Sequence, residues 1–198
     1  MKIYVVLFVL VFAINVNAQL NISEELNPFA TDVEQTLNAF DLEIQRQSGQ
    51  PAYQENSFSR LLEISTCYRL TCTVYARVIK AEQKLFLYLN GRLDYTFDIS
   101  SGAPGYSTPN FDQHPNGRIY DFYTSTKFPG GDYKGLGNMP YAVFIKGGFA
   151  IHGTTPGNIP KLGTPDSHGC IRLHPENGKI FNRLVRQYGV KDVWITVE

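Results

Sequence analysis

The pattern of apolar residues changes near residue 70, and this change limits how the rest of the chain can fold. After that point short segments of β-forming residues are separated by turn residues, and Asn90-Gly91 lies between two such segments as in a two-residue hairpin. Glycine, proline, tyrosine and phenylalanine are plentiful after residue 85. This composition favours short strands joined by tight turns over a helical bundle, so we expect a mainly β domain with short helices.

The same pattern predicts the positions of individual elements in this domain. Strands are predicted over residues 70–79, 84–89, 93–99, 117–125, 141–145, 149–151 and 193–197. His152 follows directly on one of these strands. One helix is predicted over residues 175–188, because proline occupies its first turn, apolar residues recur on one face, and Gly189 follows it.

The segment before residue 70 is predicted to be helical. Thr31 and Glu34 have the spacing of a capping box, an apolar face follows, and Gly49 with Pro51 provides a stop. The residues of that apolar face are Val33, Leu37, Phe40 and Ile44. A shorter helical piece is predicted over residues 58–64. These helices carry no distinctive chemistry and are expected to pack on the domain or to shield a surface.

The first 18 residues have the pattern of a secretory signal peptide. Lys2 precedes an apolar run, and Val16 and Ala18 have the small-residue spacing of a cleavage site. The run is too short to span a bilayer comfortably, and no later segment is apolar enough to act as a stable membrane anchor after cleavage. We therefore predict a signal peptide at 1–18, a helical segment at 19–69 and a domain at 70–198, exported to the periplasm or cell envelope.

The charge balance gives no reason to expect nucleic acid as a partner. Removal of residues 1–18 takes away one of the 18 basic residues and none of the 18 acidic ones, so the mature chain has a net charge of −1. Nucleic-acid binding depends on a basic surface that neutralises phosphates. No such surface is indicated by this composition.

Three cysteines in an exported chain leave at least one outside any internal disulfide. Cys67 and Cys72 can be joined only if the chain turns between them, because a continuous strand would separate their α carbons by about 17 Å against a limit near 7 Å. The sequence leaves that disulfide open. Cys170 is the more consequential cysteine, because it lies between glycine and an apolar segment with histidines nearby.

Cys170 has the surroundings of a nucleophile. A nearby imidazole can take the proton of a thiol, and both His168 and His152 are available by residue type. If the segment is extended, His168 and Cys170 share one face, whereas His152 must be brought near by the fold. The N–H groups of Gly169 and Cys170 could form an oxyanion hole, since glycine allows close approach of a reacting carbonyl.

The order of these residues resembles a known family. The segment His152-Gly153-Thr154 is followed by Ser167-His168-Gly169-Cys170-Ile171-Arg172-Leu173, with 14 residues between His152 and Ser167. This combination is similar to the signature of the L,D-transpeptidases of bacterial cell walls, with their YkuD-type catalytic domain. The resemblance covers roughly residues 70 to 198. It implies a YkuD-like β-sandwich catalytic domain, preceded here by a small helical N-terminal segment.

The resemblance also implies a role for each residue of the motif. Cys170 would be the nucleophile, His152 its general base, and the carbonyl of Gly153 the acceptor that orients the imidazole. Supporting roles would fall to His168 beside the cysteine, Gly169 and Cys170 as oxyanion donors, Ser167 in fixing the loop, Arg172 near the substrate carboxylate and Tyr141 in the donor groove. From the residue type alone, Arg172 has a second interpretation, the pairing of a structural acid.

The implied reaction uses peptidoglycan stem peptides as donor and acceptor and needs no cofactor. Cys170 would attack the third residue of a tetrapeptide, release D-alanine and form a thioester that a neighbouring stem resolves as a 3–3 cross-link. Water as acceptor would make the protein an L,D-carboxypeptidase, a hydrolase. A free D-amino acid would give exchange, and a lipoprotein lysine would give anchoring to the wall. The sequence does not separate these acceptors.

Two interpretations from other classes compete with acyl transfer. His152, His168, Cys170 and His174 are suitable zinc ligands by type, but their spacing matches no zinc pattern, so no metal is predicted. A non-catalytic peptidoglycan-binding module is also possible. It would give no reason for the complete Ser-His-Gly-Cys segment.

Overall fold

The computed structural model describes residues 31–48, 67–124 and 131–198. The proposed signal peptide and the helical piece expected at 58–64 lie outside these ranges. The two α-helices are α1 (Val33–Ser48) and α2 (Pro175–Tyr188). The strands are β1 (Val74–Ile79), β2 (Lys84–Leu89), β3 (Arg92–Ser100), β4 (Phe111–Gln113), β5 (Val143–Lys146), β6 (Phe149–Gly153), β7 (Ile171–Leu173) and β8 (Val193–Val197). Short 3-10 turns connect some of these elements.

The strands pair in the order β4-β8-β1-β2-β3-β7-β6-β5. β1, β2 and β3 form antiparallel hairpins, whereas β8 lies parallel to β1 and β7 lies parallel to β6. The last residues of β3, Ile99 and Ser100, pair with β7 and so join the two halves of the sheet. The predicted mainly β architecture with short helices is confirmed.

The turn between β2 and β3 is the hairpin that the sequence predicts. Asn90 and Gly91 have φ values of 50° and 76°. Two successive positive φ angles are typical of a type I′ turn, whose twist matches that of the flanking strands. This local signal therefore fixes the pairing of β2 with β3.

Two predicted strands differ from the structure. Residues 69–71 form a 3-10 turn, and β1 begins only at Val74, because the Cys67–Cys72 disulfide brings the two α carbons to 4.8 Å. The strand predicted at 117–125 is wrong over its described part, where Ile119 makes a single bridge to Val143. There the side chain of Asn116 accepts the N–H of Arg118, which competes with ladder pairing.

One apolar core lies between the two halves of the sheet. It contains inward-facing residues of β1, β2 and β8 together with those of β5, β6 and β7, and Phe181 and Val185 of α2. The opposite face of β5 and β6 carries a second cluster, which we call the outer cluster. Its buried members are Val33, Leu37 and Ile44 from α1 with Tyr120, Tyr123, Met139, Ala142, Phe144 and Ala150.

Among the described residues, neither helix combines the length and the apolar character that crossing a bilayer demands.

Candidate active site

The two residues predicted to perform the chemistry lie in, or directly before, neighbouring parallel strands. His152 lies in β6 opposite Arg172 of β7, and Cys170 directly precedes β7. Ile151 and Ile171 belong to the apolar core. Because side chains alternate along a strand, His152 and Cys170 lie on the other face, diagonally across the strand pair. The fold thus brings together two residues that are far apart in sequence.

The imidazole of His152 is held by the backbone of the next residue. Its Nδ1 lies 2.7 Å from the carbonyl oxygen of Gly153. Because a carbonyl oxygen can only accept, Nδ1 carries the proton and Nε2 keeps its lone pair. This is the contact that a general base orientated by Gly153 requires.

Burial keeps this histidine neutral. His152 has only 4% of its surface exposed. Burial lowers its pKa to about 4, and the positive charge of Arg172 lowers it further, although the Gly153 carbonyl opposes the shift. At neutral pH the ring is therefore uncharged and can accept a proton.

The close packing of α2 on β6 fixes the position of Gly153. The N–H of Gly153 donates to Pro140 O at 2.7 Å. A Cβ on Gly153 would lie 2.8 Å from the α carbon of Pro175, and one on Gly178 would lie 2.8 Å from the nitrogen of Gly153. These contacts leave no room for a methyl group, so the two glycines permit the helix to approach the strand that carries His152.

The replacement Gly178→Ala is expected to destabilise the protein by about 2 kcal/mol or more, because backbone atoms must move to admit the methyl group. In an ordinary helix interior the same change would stabilise by about 1 kcal/mol, so the sign is informative. Urea unfolding would measure it. The matched control is Gly157→Ala, where a Cβ meets no atom within 4 Å. Equal stability of the two variants would contradict this account.

The segment before Cys170 is bent. Gly169 has a φ of 111°, a value that favours glycine. The hydroxyl of Ser167 donates to the carbonyl of Cys170 and accepts the N–H of Gly169 at 3.1 Å. The extended conformation considered for His168 and Cys170 is therefore not adopted. In this state the Gly169 N–H, predicted to be an oxyanion donor, is directed at Ser167.

Residues 102–108 form a loop that supports this segment, and sequence reasoning did not assign it a role. Ala103 N donates to Ser167 O, and Thr108 Oγ1 donates to Gly169 O, both at 2.8 Å. The ring of Tyr106 meets His168 edge to face at 4.8 Å and remains 47% exposed. No local signal in the sequence indicates the contacts of this loop with the cysteine segment.

Cys170 is the cysteine outside the disulfide and is partly buried. Its Sγ lies 3.5 Å from the carbonyl oxygen of Gly148, in the geometry of a donated S–H bond. The thiol also packs against the outer cluster. Burial raises the pKa of Tyr123, and interaction with Cys170 and Asp41 raises it further. The thiol therefore faces a partly apolar, aromatic surface.

Arg172 pairs with an acid of its own chain. Its Nη1 contacts Asp166 twice, at the carbonyl oxygen (3.0 Å) and at Oδ2 (3.1 Å). Lys161 also reaches Asp166 Oδ2, at 2.9 Å, and this contact is the main cause of the lowered pKa of Asp166. The geometry thus supports the structural interpretation of Arg172. Its predicted contact with a substrate carboxylate stays a prediction.

Tyr141, the other predicted substrate contact, is buried and has a φ of 59°. Its N–H donates to Asp121 O, and the guanidinium of Arg183 lies 5.8 Å from its ring centre. It follows Pro140, whose carbonyl accepts the N–H of Gly153, so the segment lies beside the base.

His174, one of the four residues of the zinc alternative, caps a helix. Its side chain accepts the N–H of Glu176 at the start of α2.

Within the described ranges, no three His, Cys, Asp or Glu side chains gather in a way that could hold a metal ion. The imidazole of His152 contacts the carbonyl oxygen of Gly153, and the ring of His168 contacts Tyr106.

The chain is similar to known proteins in both sequence and fold. A family model described as the YkuD L,D-transpeptidase catalytic domain matches residues 73–192. No curated protein matches the chain. An L,D-transpeptidase from Mycobacterium tuberculosis H37Rv matches with a TM-score of 0.52 and 21% identity, over 64% of this chain and 58% of the other.

A second solved structure, LD transpeptidase LdtMt1 in complex with imipenem, matches with a TM-score of 0.53 and 22% identity, over 64% of this chain and 59% of the other. At these identities the likeness concerns the fold. The chain spans less than two thirds of the length of either protein.

Proposed function

Because the chain belongs to the L,D-transpeptidase catalytic domain family, we propose that it is a cysteine-dependent L,D-transpeptidase acting on peptidoglycan stem tetrapeptides. The observation that carries this proposal is the neutral His152 ring, whose Nδ1 proton is directed at Gly153. Cys170 lies immediately before the adjacent strand β7, on the same face as His152. A base with a fixed tautomer beside a thiol is the arrangement that acyl transfer needs.

In the first half of the reaction, Nε2 of His152 takes the thiol proton of Cys170. The thiolate attacks the carbonyl carbon of the third stem residue, and the oxyanion is stabilised by the Cys170 N–H and by the Gly169 N–H once it turns from Ser167. The C–N bond to the terminal D-alanine breaks, and the imidazolium gives its proton to that amine. A thioester remains on Cys170.

In the second half, an amine from a neighbouring stem attacks the thioester and passes a proton to His152. The C–S bond breaks, the thiolate recovers the proton, and a 3–3 cross-link is released. Water in place of the amine would give an L,D-carboxypeptidase, and a free D-amino acid would give exchange. No step calls for a metal or an organic cofactor.

The proposal extends to the parts of the chain. Residues 1–18 would direct export to the periplasm or cell envelope, where peptidoglycan is found, and residues 70–198 would form the catalytic domain. Ser167 and the loop at 102–108 support the cysteine segment through hydrogen bonds, and the ring of Tyr106 packs against His168 of that segment. Tyr141 would lie at the donor groove.

The proposal can be tested by incubating the mature protein with a disaccharide-tetrapeptide and following the masses of protein and products. We expect an acyl adduct on the protein, loss of alanine and formation of dimers. Tripeptide without dimers would point to the carboxypeptidase. A disaccharide-tripeptide, which lacks the leaving D-alanine, is the matched control and should give no adduct. Binding of the tetrapeptide without adduct or turnover would refute the proposal and favour the non-catalytic module.

The replacement Arg172→Lys tests the two interpretations of this residue. A lysine keeps the charge that pairs with Asp166 but loses the forked geometry that grips a carboxylate. Because the structure shows the pairing with Asp166, we expect kcat and KM to change by less than about threefold. Steady-state kinetics with the tetrapeptide would measure this. A KM raised about tenfold with unchanged thermal stability would instead assign Arg172 to the substrate carboxylate.

A further inference from the structure

α1 lies outside the region that matches the family, yet it packs beside the candidate nucleophile. Its residues Val33, Leu37 and Ile44 are buried in the outer cluster. Phe40 of the same helix and Cys170 are both partly buried against that cluster. The helix and the thiol therefore share one apolar surface.

Phe40 provides a first connection between α1 and Cys170. Its ring centre lies 4.2 Å from that of Tyr123. Cys170 and Asp41 of α1 both contribute to the raised pKa of Tyr123, for which burial is the first cause. Tyr123 is thus close both to the helix and to the thiol, and removal of the Phe40 ring would leave one side of Tyr123 unsupported.

Val33 provides a second, independent connection at the start of the helix. A Cβ on Gly147 would lie 3.6 Å from Val33 Cγ1, so the start of the helix lies directly beside the turn between β5 and β6. The next residue of that turn is Gly148, whose carbonyl oxygen lies 3.5 Å from Cys170 Sγ. The start of the helix therefore lies beside the turn that carries the acceptor of the thiol hydrogen.

The docking of α1 is specific as well as apolar. Arg118, whose side chain is 17% exposed, donates to Glu34 at 2.7 Å, to Asn38 at 2.6 Å and to Asp41 at 3.3 Å. The hydroxyl of Tyr120 donates to the same carboxylate of Asp41. A largely buried guanidinium with three partners on successive turns fixes the rotation of the helix on the domain.

We propose that α1 is a part of the active site, and that Phe40 is a positioning residue which, through Tyr123, holds the Cys170 thiol in place and limits access to it. The helix would then have opposite effects on two rates, that of attack on Cys170 by external reagents and that of acyl transfer. It slows attack by external reagents on Cys170, because it closes one side of the thiol's surroundings. It speeds acyl transfer, because a thiol held in one geometry reacts more readily with a bound carbonyl.

The test compares Phe40→Ala with Leu42→Ala in the full mature chain. Leu42 lies on the same helix and is 57% exposed, so it is the matched control. We expect Phe40→Ala to raise the rate of Cys170 alkylation by iodoacetamide at least about threefold and to lower kcat at least about fivefold, with a smaller change in KM. Leu42→Ala should leave both rates unchanged. Equal values for the two variants would overturn the proposal.

A second set of variants separates positioning from loss of folding. Phe40→Leu restores apolar volume and should recover most of kcat. If kcat fell only because the protein was less stable, kcat would instead follow the unfolding temperature of each variant. Should Phe40→Ala fail to fold, Asn38→Ala loosens the helix at Arg118 without touching the outer cluster and should shift both rates in the same directions. A folded Asn38→Ala variant with wild-type rates would also count against the proposal.

The turnover measurement depends on the proposed function, but the alkylation measurement does not. Faster alkylation in Phe40→Ala, in a protein that shows no transpeptidation of any kind, would support the position of α1 and refute the proposed activity. Normal transpeptidation with identical alkylation rates in all variants would support the proposed activity and refute the role of α1.

Discussion

Replacing Cys170 by alanine is expected to abolish the acyl adduct and to lower turnover of the disaccharide-tetrapeptide at least about 10³-fold. The other two cysteines are joined in the Cys67–Cys72 disulfide, so no other thiol in the chain can form the thioester. The effect should be large because the proposed route passes through a covalent intermediate on this sulfur atom, and alanine offers no nucleophile.

Intact-protein mass spectrometry would check this result, and iodoacetamide would provide an internal control. Without reductant, the wild-type protein should take up one carbamidomethyl group and the Cys170→Ala variant none. The variant should still bind the tetrapeptide and unfold at a similar temperature, since the side chain is only partly buried. An adduct of normal mass in the variant would show that another group carries the acyl chain.

Elements with strong local signals were predictable from the sequence. The helix at Pro175–Tyr188 has proline in its first turn and Gly189 after its end, and the predicted bounds agree with the structure. β2 and β8 also agree. The hairpin at Asn90-Gly91 follows from the two positive φ angles that these residues adopt readily. In each case neighbouring residues determine the backbone.

Features that depend on packing between distant segments were not predictable in the same way. The parallel register that places His152 opposite Arg172 joins strands far apart in the chain. Thr108 carries no motif, yet its hydroxyl supports Gly169. The apolar face of α1 was visible in the sequence, but its partner was not, because any apolar surface satisfies such a face. The strand expected at 117–125 failed where the Asn116 side chain competes with backbone pairing.

The candidate site was predictable in part: its residues follow from a motif, but their contacts and burial follow only from the fold. The resemblance to a family named Cys170, His152 and Gly153 from a motif, and the structure brings His152 Nδ1 to 2.7 Å from Gly153 O. The sequence offered the pairing of Arg172 with a structural acid as one of two interpretations and did not identify the acid, which the structure shows to be Asp166. A sequence does not say which way a long side chain turns. Burial of His152, which sets its protonation state, depends on α2 and Pro140 and follows only from the fold.

Replacing His152 by glutamine is expected to lower kcat for acyl transfer by about 10²- to 10⁴-fold, the range associated with loss of a general base. Glutamine can still donate to the Gly153 carbonyl, so the backbone contact is kept while the proton acceptor is lost. Single-turnover formation of the acyl adduct would measure the effect. The matched control is His114→Gln, since His114 also places Nδ1 2.7 Å from a backbone carbonyl but lies beside Trp194 of β8. A similar loss in both variants would contradict the role of His152.

The same replacement should change how stability depends on pH. The pKa of His152 is about 4 in the folded protein, against an ordinary value of 6.5. Between these values the unfolded chain binds a proton that the folded protein does not, so the free energy of unfolding falls as the pH is lowered from about 6.5 towards 4. One group contributes a slope of at most about 1.4 kcal/mol per pH unit. Urea unfolding from pH 4 to 7 should show this slope in the wild type and in His114→Gln, and a reduced slope in His152→Gln. Parallel curves for all three proteins would mean that His152 is not held neutral by burial, and the assignment of Nε2 as a ready proton acceptor would fail with it.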